Sequence, residues 1–484
     1  MYTELVQNFT VKYVKSLKLR QCLLVLFILF HLIFSVLLGE LFAFAPDEIG
    51  YLSAFNTVFT LPVNTLAQSG SGWITAPTLF LWIIYAPAKL INLLGVSDLL
   101  SIRILSIAGV AISLHLLLKI QTSKNSFAKF PQFLIFSTFM IPSIFLWSSV
   151  GMRESFIILQ ITMFFTGLFY LSENRGVQAS IFLSLGSYGL ICTKPYLWVC
   201  LVIAMFIAIT IGFLCRSKES NLMKLVIAGL LVPLIAFAGT TSSYALNNIF
   251  NVNVTEIGTR SGDSITEVYI DETEAGVGAG VGAGDNVGYQ KVTFYGDYTL
   301  ISLHSFLIEN PKAPFSRLLN IFGIDEQLGL IWDQKVNLAL ANKENQVKKE
   351  SSTLNGYLLN PGDLRNPISL IRPSIMFLFG PFPFVKNSGF IVSAVAFESL
   401  IWWALYLFVF FPLVKLRRIR FLTEMKVLLP SIFLVGVTVL SSLVEVNLGT
   451  SFRHRSVILI PLLFIYMMTN LENKSISGQS NEKK

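Results

Sequence analysis

Residues 22–44 read CLLVLFILFHLIFSVLLGELFAF, and residues 45–55 continue as APDEIGYLSAF. A helix of about 20 apolar residues crosses a bilayer, and this run is long enough to do so. Lys12, Lys15, Lys18 and Arg20 precede it. The run is too long for the apolar core of a secretory signal, and no small-residue cleavage site follows it. It therefore reads as a retained first span with its start in the cytoplasm. The acidic pair that ends it then faces the opposite side of the membrane.

The rest of the chain has the same character. Of 484 residues, 54% are hydrophobic and 13% charged, against about 25% charged in soluble domains. The net charge of +8 is unevenly spread. From Asn247 to Leu370 there are 15 acidic and 9 basic residues, leaving 13 acidic and 27 basic elsewhere. The basic excess sits in short clusters between apolar runs, as in the positive-inside pattern, so nucleic acid is not an expected partner. The four cysteines (Cys22, Cys192, Cys200, Cys215) lie in or beside apolar runs, with no CxxC spacing.

Further spans are expected at Arg103–Lys119, Pro131–Trp147, Ser155–Leu171, Ala179–Ile191, Tyr196–Leu214 and Leu225–Leu246. Three more follow at Phe390–Val414, Val427–Leu443 and Val457–Met468. Lys119, Lys124 and Lys129 form one basic turn; Arg216, Lys218 and Lys224 form a second; Lys415, Arg417, Arg418, Arg420 and Lys426 form a third. Ten crossings put all three, and both termini, in the cytoplasm. Ala76–Leu94 must then be a juxtamembrane or half-inserted helix on the outer face, consistent with its Pro77, Pro87 and Lys89.

The expected fold is thus an all-α polytopic membrane protein of about ten transmembrane helices. Residues 1–246 form an amino-terminal membrane module, 247–388 an extracytoplasmic insertion between spans seven and eight, and 389–484 the closing helices. Within the insertion, GVGAGVGAG (Gly276 to Gly284) reads as a flexible loop. It has no strand-turn-helix context or Walker lysine that would make it a phosphate cradle.

Charges at membrane depth are costly and mark function by default. Asp47 and Glu48 end the first span; adjacent helical residues point about 100° apart, so the two need not share a role. One can accept a proton while the other caps a helix or holds an ion. An interfacial helix cap by Asp47 is the plainer alternative. Three short outer turns carry further charges: Arg153 and Glu154 in GMRESF, Lys194 in CTKPYLW, and Arg453, His454 and Arg455 in SFRHRSV. Arg372, in LIRPSIMFLFGPFPF, is a further candidate. Basic residues are disfavoured on outer turns, so this group points to a bound anion. A carboxylate base, several guanidinium groups and a membrane-level cavity suit transfer from a lipid phosphate donor.

The segment DEIGYLSAF, with Asp47, Glu48 and Tyr51 after one amino-terminal span, resembles the DExxY signature of GT-C glycosyltransferases. These membrane enzymes use polyprenyl-phosphate sugars. The following SGWITAPTLFLWIIYAPAKLINLLGVSDLLSIRILSIAG looks like their juxtamembrane helix and next span, and the turn at Arg153–Ser155 resembles their second outer-loop motif. The RHR segment also resembles the arginines of bacterial polysaccharide polymerases. The resemblance covers most of the first 200 residues. It implies inverting transfer on the outer face of the cell membrane, from a polyprenyl-phosphate or pyrophosphate sugar to a hydroxyl of a glycan or lipid acceptor. Asp47 would be the catalytic carboxylate and Glu48 its partner or alternative. Tyr51, Arg153, Glu154, Lys194, Arg372, Arg453, His454 and Arg455 would bind substrate among the membrane lipids. Some members use a divalent cation, although the sequence contains no cluster that demands a metal. Many members also end in a soluble domain, whereas here the bulk lies in the inserted segment. A polymerase or ligase acting on lipid-pyrophosphate glycans would place the weight on the arginines; a transporter or flippase is a third reading.

Overall fold

The computed structural model describes residues 2–39, 48, 51–52, 55, 76–123, 129–214, 268–270, 290–292, 370–384, 390–415, 424–444 and 448–481. The described residues are helical apart from two strands of three residues. These are β1 (Val268–Ile270) and β2 (Gln290–Val292), antiparallel with Val268 opposite Val292. Five helices are long and apolar enough to cross a membrane, or six if one bent pair counts as a single span. The chain is a membrane-spanning helical protein. The expected span Leu225–Leu246, the glycine tract and nearly all of the insertion lie outside the described residues.

α1 (Tyr2–Leu37) carries the first span, Lys18–Leu37. The apolar run was expected to stay helical to Phe44, but the helix stops at Leu37. Gly39, at φ +91°, turns the chain into a conformation that residues with a Cβ rarely adopt. α2 (Ala76–Asn92) and α3 (Asp98–Ser123) follow. Lys89 on α2 pairs with Asp98 at 3.1 Å and lies over the Phe55 ring, fixing α2 against the start of α3. The expected single span Pro131–Trp147 is instead broken into α4 (Lys129–Phe139) and α5 (Pro142–Ser149), bent by 61°. Pro142 explains the break: it has no N–H to continue α4, but its ring suits a first helical turn.

α6 (Glu154–Ser172) and α7 (Gly176–Thr193) form the tightest pair. Their backbones touch because glycine leaves room. A Cβ on Gly186 would sit 2.6 Å from both the Gln160 carbonyl oxygen and the Phe164 nitrogen. Small residues at such crossings are how helices pack where lipid supplies no hydrophobic drive. α7 ends at Lys194, because the following proline disfavours helix there, and α8 (Pro195–Leu214) begins at once. α9 (Ile371–Phe379), at the end of the expected insertion, packs on α11 (Met425–Val444) and on α10 (Phe390–Lys415).

α12 (Leu448–Asn481) starts well before the expected Val457 and takes the RHR segment into its first turns. It is the centre of the bundle. Of its span Ser451–Thr469, 94% is buried, against 22% for the most apolar stretch of α1. The core joins α12 with α6 and α11 through Phe165, Phe433 and Phe464, with the Phe165 ring 5.8 Å and 5.4 Å from the other two, and with α10 through Tyr466 and Phe408, 5.2 Å apart.

A candidate active site at the helix ends

Two acid–base clusters are built where α1 and α5 end and α3, α6 and α12 begin. In the first, Glu48 and Arg103 are both fully buried. Arg103 donates from Nε to Glu48 Oε1 at 2.7 Å and from Nη2 to Oε2 at 3.0 Å. Its Nη1 closes the end of α1, donating to the Ser35 carbonyl at 3.1 Å and the Gly39 carbonyl at 2.8 Å. Glu48 Oε1 also accepts the Gly151 N–H at 2.9 Å. Gly151 is needed there, since a Cβ would sit 2.8 Å from Ile102. Both Glu48 oxygens and all three Arg103 nitrogens are engaged, and a bidentate pair so held is an anchor. Glu48 is thus tied to Arg103, a residue the sequence marks only as a span opening. The signal was present in that fact alone: a cation inside a span needs a partner. Asp47 lies outside the described residues.

The second cluster is organised differently. Glu154, the first residue of α6, is 1% exposed. Arg453 from α12 brings its Nε to 3.2 Å from Glu154 Oε1, and the Nε of the neighbouring Arg153 stands at 4.0 Å. Lys194 and His454 are near enough to act on the same carboxylate. Yet neither Glu154 oxygen accepts a hydrogen bond among the described residues. The contacts are of charge without alignment, so hydrogen-bonding directions remain for another group. Lys194 and His454 are both buried and meet through Nζ and Nε2. An ammonium nitrogen can only donate, so this contact makes His454 the acceptor, with its proton on Nδ1.

Aromatic rings frame the cations. The Arg453 guanidinium lies 6.0 Å from the Trp147 ring centre, and Lys194 Nζ lies 5.2 Å from that of Tyr196. Burial works against the charge of Arg153, but Tyr51, Glu154 and Tyr196 outweigh it, and the pKa of Arg153 is raised above the usual arginine value; Arg453 acts in the opposite sense. Tyr51, itself 3% exposed, packs with Ile102, Val150 and Met152 and is near enough to act on the Arg153 charge. Trp147 and Tyr196 have no charge to announce them in sequence, and only their position beside Arg453 and Lys194 gives them a part.

Arg455 and Arg372 are not brought into this group. Successive residues of a helix turn by about 100°. Because α12 is continuous through the RHR segment, Arg453 and His454 face Glu154 while Arg455 points away. It donates from Nε to the Phe377 carbonyl at 2.6 Å, from Nη2 to the Gly380 carbonyl, and from Nη1 to the Ser399 hydroxyl at 3.5 Å. Arg455 thus closes the carboxyl end of α9. Arg372 is exposed at the other end of α9, about 12 Å away at 1.5 Å per residue.

Among the described residues, no group of three His, Cys, Asp or Glu side chains is placed to hold a metal ion. No protein-family model matches the chain, and neither a curated protein nor a solved structure matches it.

Proposed function

We propose that the chain is a membrane glycosyltransferase of the GT-C kind. It transfers a sugar from a polyprenyl-phosphate or pyrophosphate donor to a hydroxyl acceptor on the outer face of the cell membrane, within a fold of about ten spans. The observation that carries this reading is the buried Glu154 carboxylate met by Arg153, Arg453 and Lys194 at one end of the helix bundle. Three cations against one carboxylate leave net positive charge where a lipid-borne phosphate would sit. Such donors are worth most as the phosphate leaves and its charge grows.

Glu48 is committed to Arg103 and Gly151, which leaves its neighbour Asp47 as the base. The acceptor oxygen attacks the anomeric carbon with inversion and gives its proton to the Asp47 carboxylate. The bond from that carbon to the phosphate oxygen breaks, and the lipid phosphate leaves with the electron pair, held by the arginines and Lys194.

The test is glycan output in cells carrying Asp47→Asn, with membrane protein level measured alongside. Loss of product at normal level is expected. Unchanged output would remove Asp47 from the mechanism. It would favour the second reading, a polymerase or ligase on lipid-pyrophosphate glycans, which the arginine-centred surroundings of Glu154 also suit.

A further inference from the structure

The broken span raises the question of what holds its second half. The first turn of α5 starts inside the bundle, with Ser143 and Ile144 both buried, and buried N–H groups need partners. Ile141, at the cap position, has no side-chain acceptor. The cap comes from α10 instead. Glu398 accepts the Ser143 N–H on Oε2 at 3.0 Å and the Ser143 hydroxyl on Oε1 at 2.5 Å. Trp402, one turn further along α10, donates to Oε1 at 3.1 Å. A carboxylate at a helix amino terminus also meets the positive end of the helix dipole.

Just beyond the other end of α5, Glu48 accepts the Gly151 N–H. One short helix of eight residues is therefore held between two buried carboxylates. Trp147, the ring beside Arg453, lies on that helix, and Arg153 and Glu154 follow two and three residues after Gly151. The turn itself is tied down by the Ser106 hydroxyl, which donates to the Met152 carbonyl at 3.2 Å. Arg455 acts on the Glu398 charge from α12, the helix that also carries Arg453.

We propose that Glu398 is a positioning residue: by capping α5 it sets Trp147 and the Arg153–Glu154 turn against Arg453. A rigid half-helix transmits a shift at its start to its end, and displacement of about 1 Å at a reacting centre is costly. The effect on sugar transfer rests on the function proposed above; the effect on geometry does not.

The test uses the full chain in lipid nanodiscs, labelled with 5-fluorotryptophan, the Trp147 resonance being assigned with Trp147→Phe. Trp402 touches Glu398, so its resonance moves in Glu398→Gln whatever α5 does. The expected result is that the Trp147 resonance also moves by more than its linewidth. Transfer in cells should fall on the order of tenfold at unchanged membrane level. Ser143→Ala, which removes one of the two bonds and keeps the carboxylate, should move Trp147 in the same direction by less. A Trp147 resonance unmoved in both variants overturns the proposal, as does a moved resonance with undiminished transfer. If Glu398→Gln fails to accumulate, Ser143→Ala decides alone, and an unmoved Trp147 resonance overturns the proposal. Absence of sugar transfer by the unaltered protein, with Trp147 still moved by the variants, overturns the proposed function and leaves the coupling standing.

Discussion

The Glu48–Arg103 pair and the Glu154 cluster share one end of the same bundle, and both are buried acid–base groups, yet they are built to opposite rules. Arg103 donates two aligned hydrogen bonds to Glu48, and the pair is tied further to Gly151, Ser35 and Gly39. Glu154 has charge close by and no aligned donor among the described residues. Saturation immobilises a group, whereas charge compensation without saturation keeps it ready for an incoming partner. Buried charge alone therefore does not identify a site; the bonding left over does.

The contrast can be broken most directly at Arg103. Arg103→Ala leaves Glu48 as an uncompensated buried charge, and the loss should be about 3–5 kcal/mol of stability. It should appear as low membrane accumulation and an early melt in detergent; a normal melt would mean the pair anchors nothing. Arg453→Ala should do the reverse. Arg153 and Lys194 still act on the Glu154 charge, so accumulation should hold while transfer falls about a hundredfold, the scale of one lost transition-state donor.

Gly186→Ala tests the frame that carries Glu154 and Lys194 on adjacent helices. The added methyl meets backbone of α6, and overpacking there should cost about 1–3 kcal/mol, read as a lowered melting temperature. Unchanged stability would show that α6 and α7 can part. The smallest expected effect is that of Glu154→Gln, with normal accumulation and transfer down on the order of tenfold as the cations lose the charge that gathers them. If that variant fails to accumulate as Arg103→Ala should, the two clusters are of one kind and the distinction fails.

The membrane character and the helices were legible because lipid imposes one demand, continuous apolar helix, that composition reports directly. The break at Pro142 and the early start of α12 were not. Pro142 sits in an unbroken apolar run, and whether such a residue starts a helix or bends one depends on what caps that helix, here Glu398, 255 residues beyond Ser143. At the candidate site, the sequence places Arg453, His454 and Arg455 together. Only the helical phase of α12 separates them, sending Arg453 to Glu154 and Arg455 to the carbonyls that end α9. The same gap explains Glu48: its neighbours in sequence say nothing of Arg103, 55 residues on.

The burial of α12 bears on how the protein is made. Insertion machinery samples segments as they emerge and favours those that partition into lipid unaided. Arg453, His454 and Arg455 at the start of α12 make it a poor candidate for that, and its span Ser451–Thr469 is almost wholly buried by the protein itself. Its entry depends on earlier helices already waiting in the bilayer to receive it. A ribosome halted before Leu448 would leave α6, α10 and α11 without the helix they pack on.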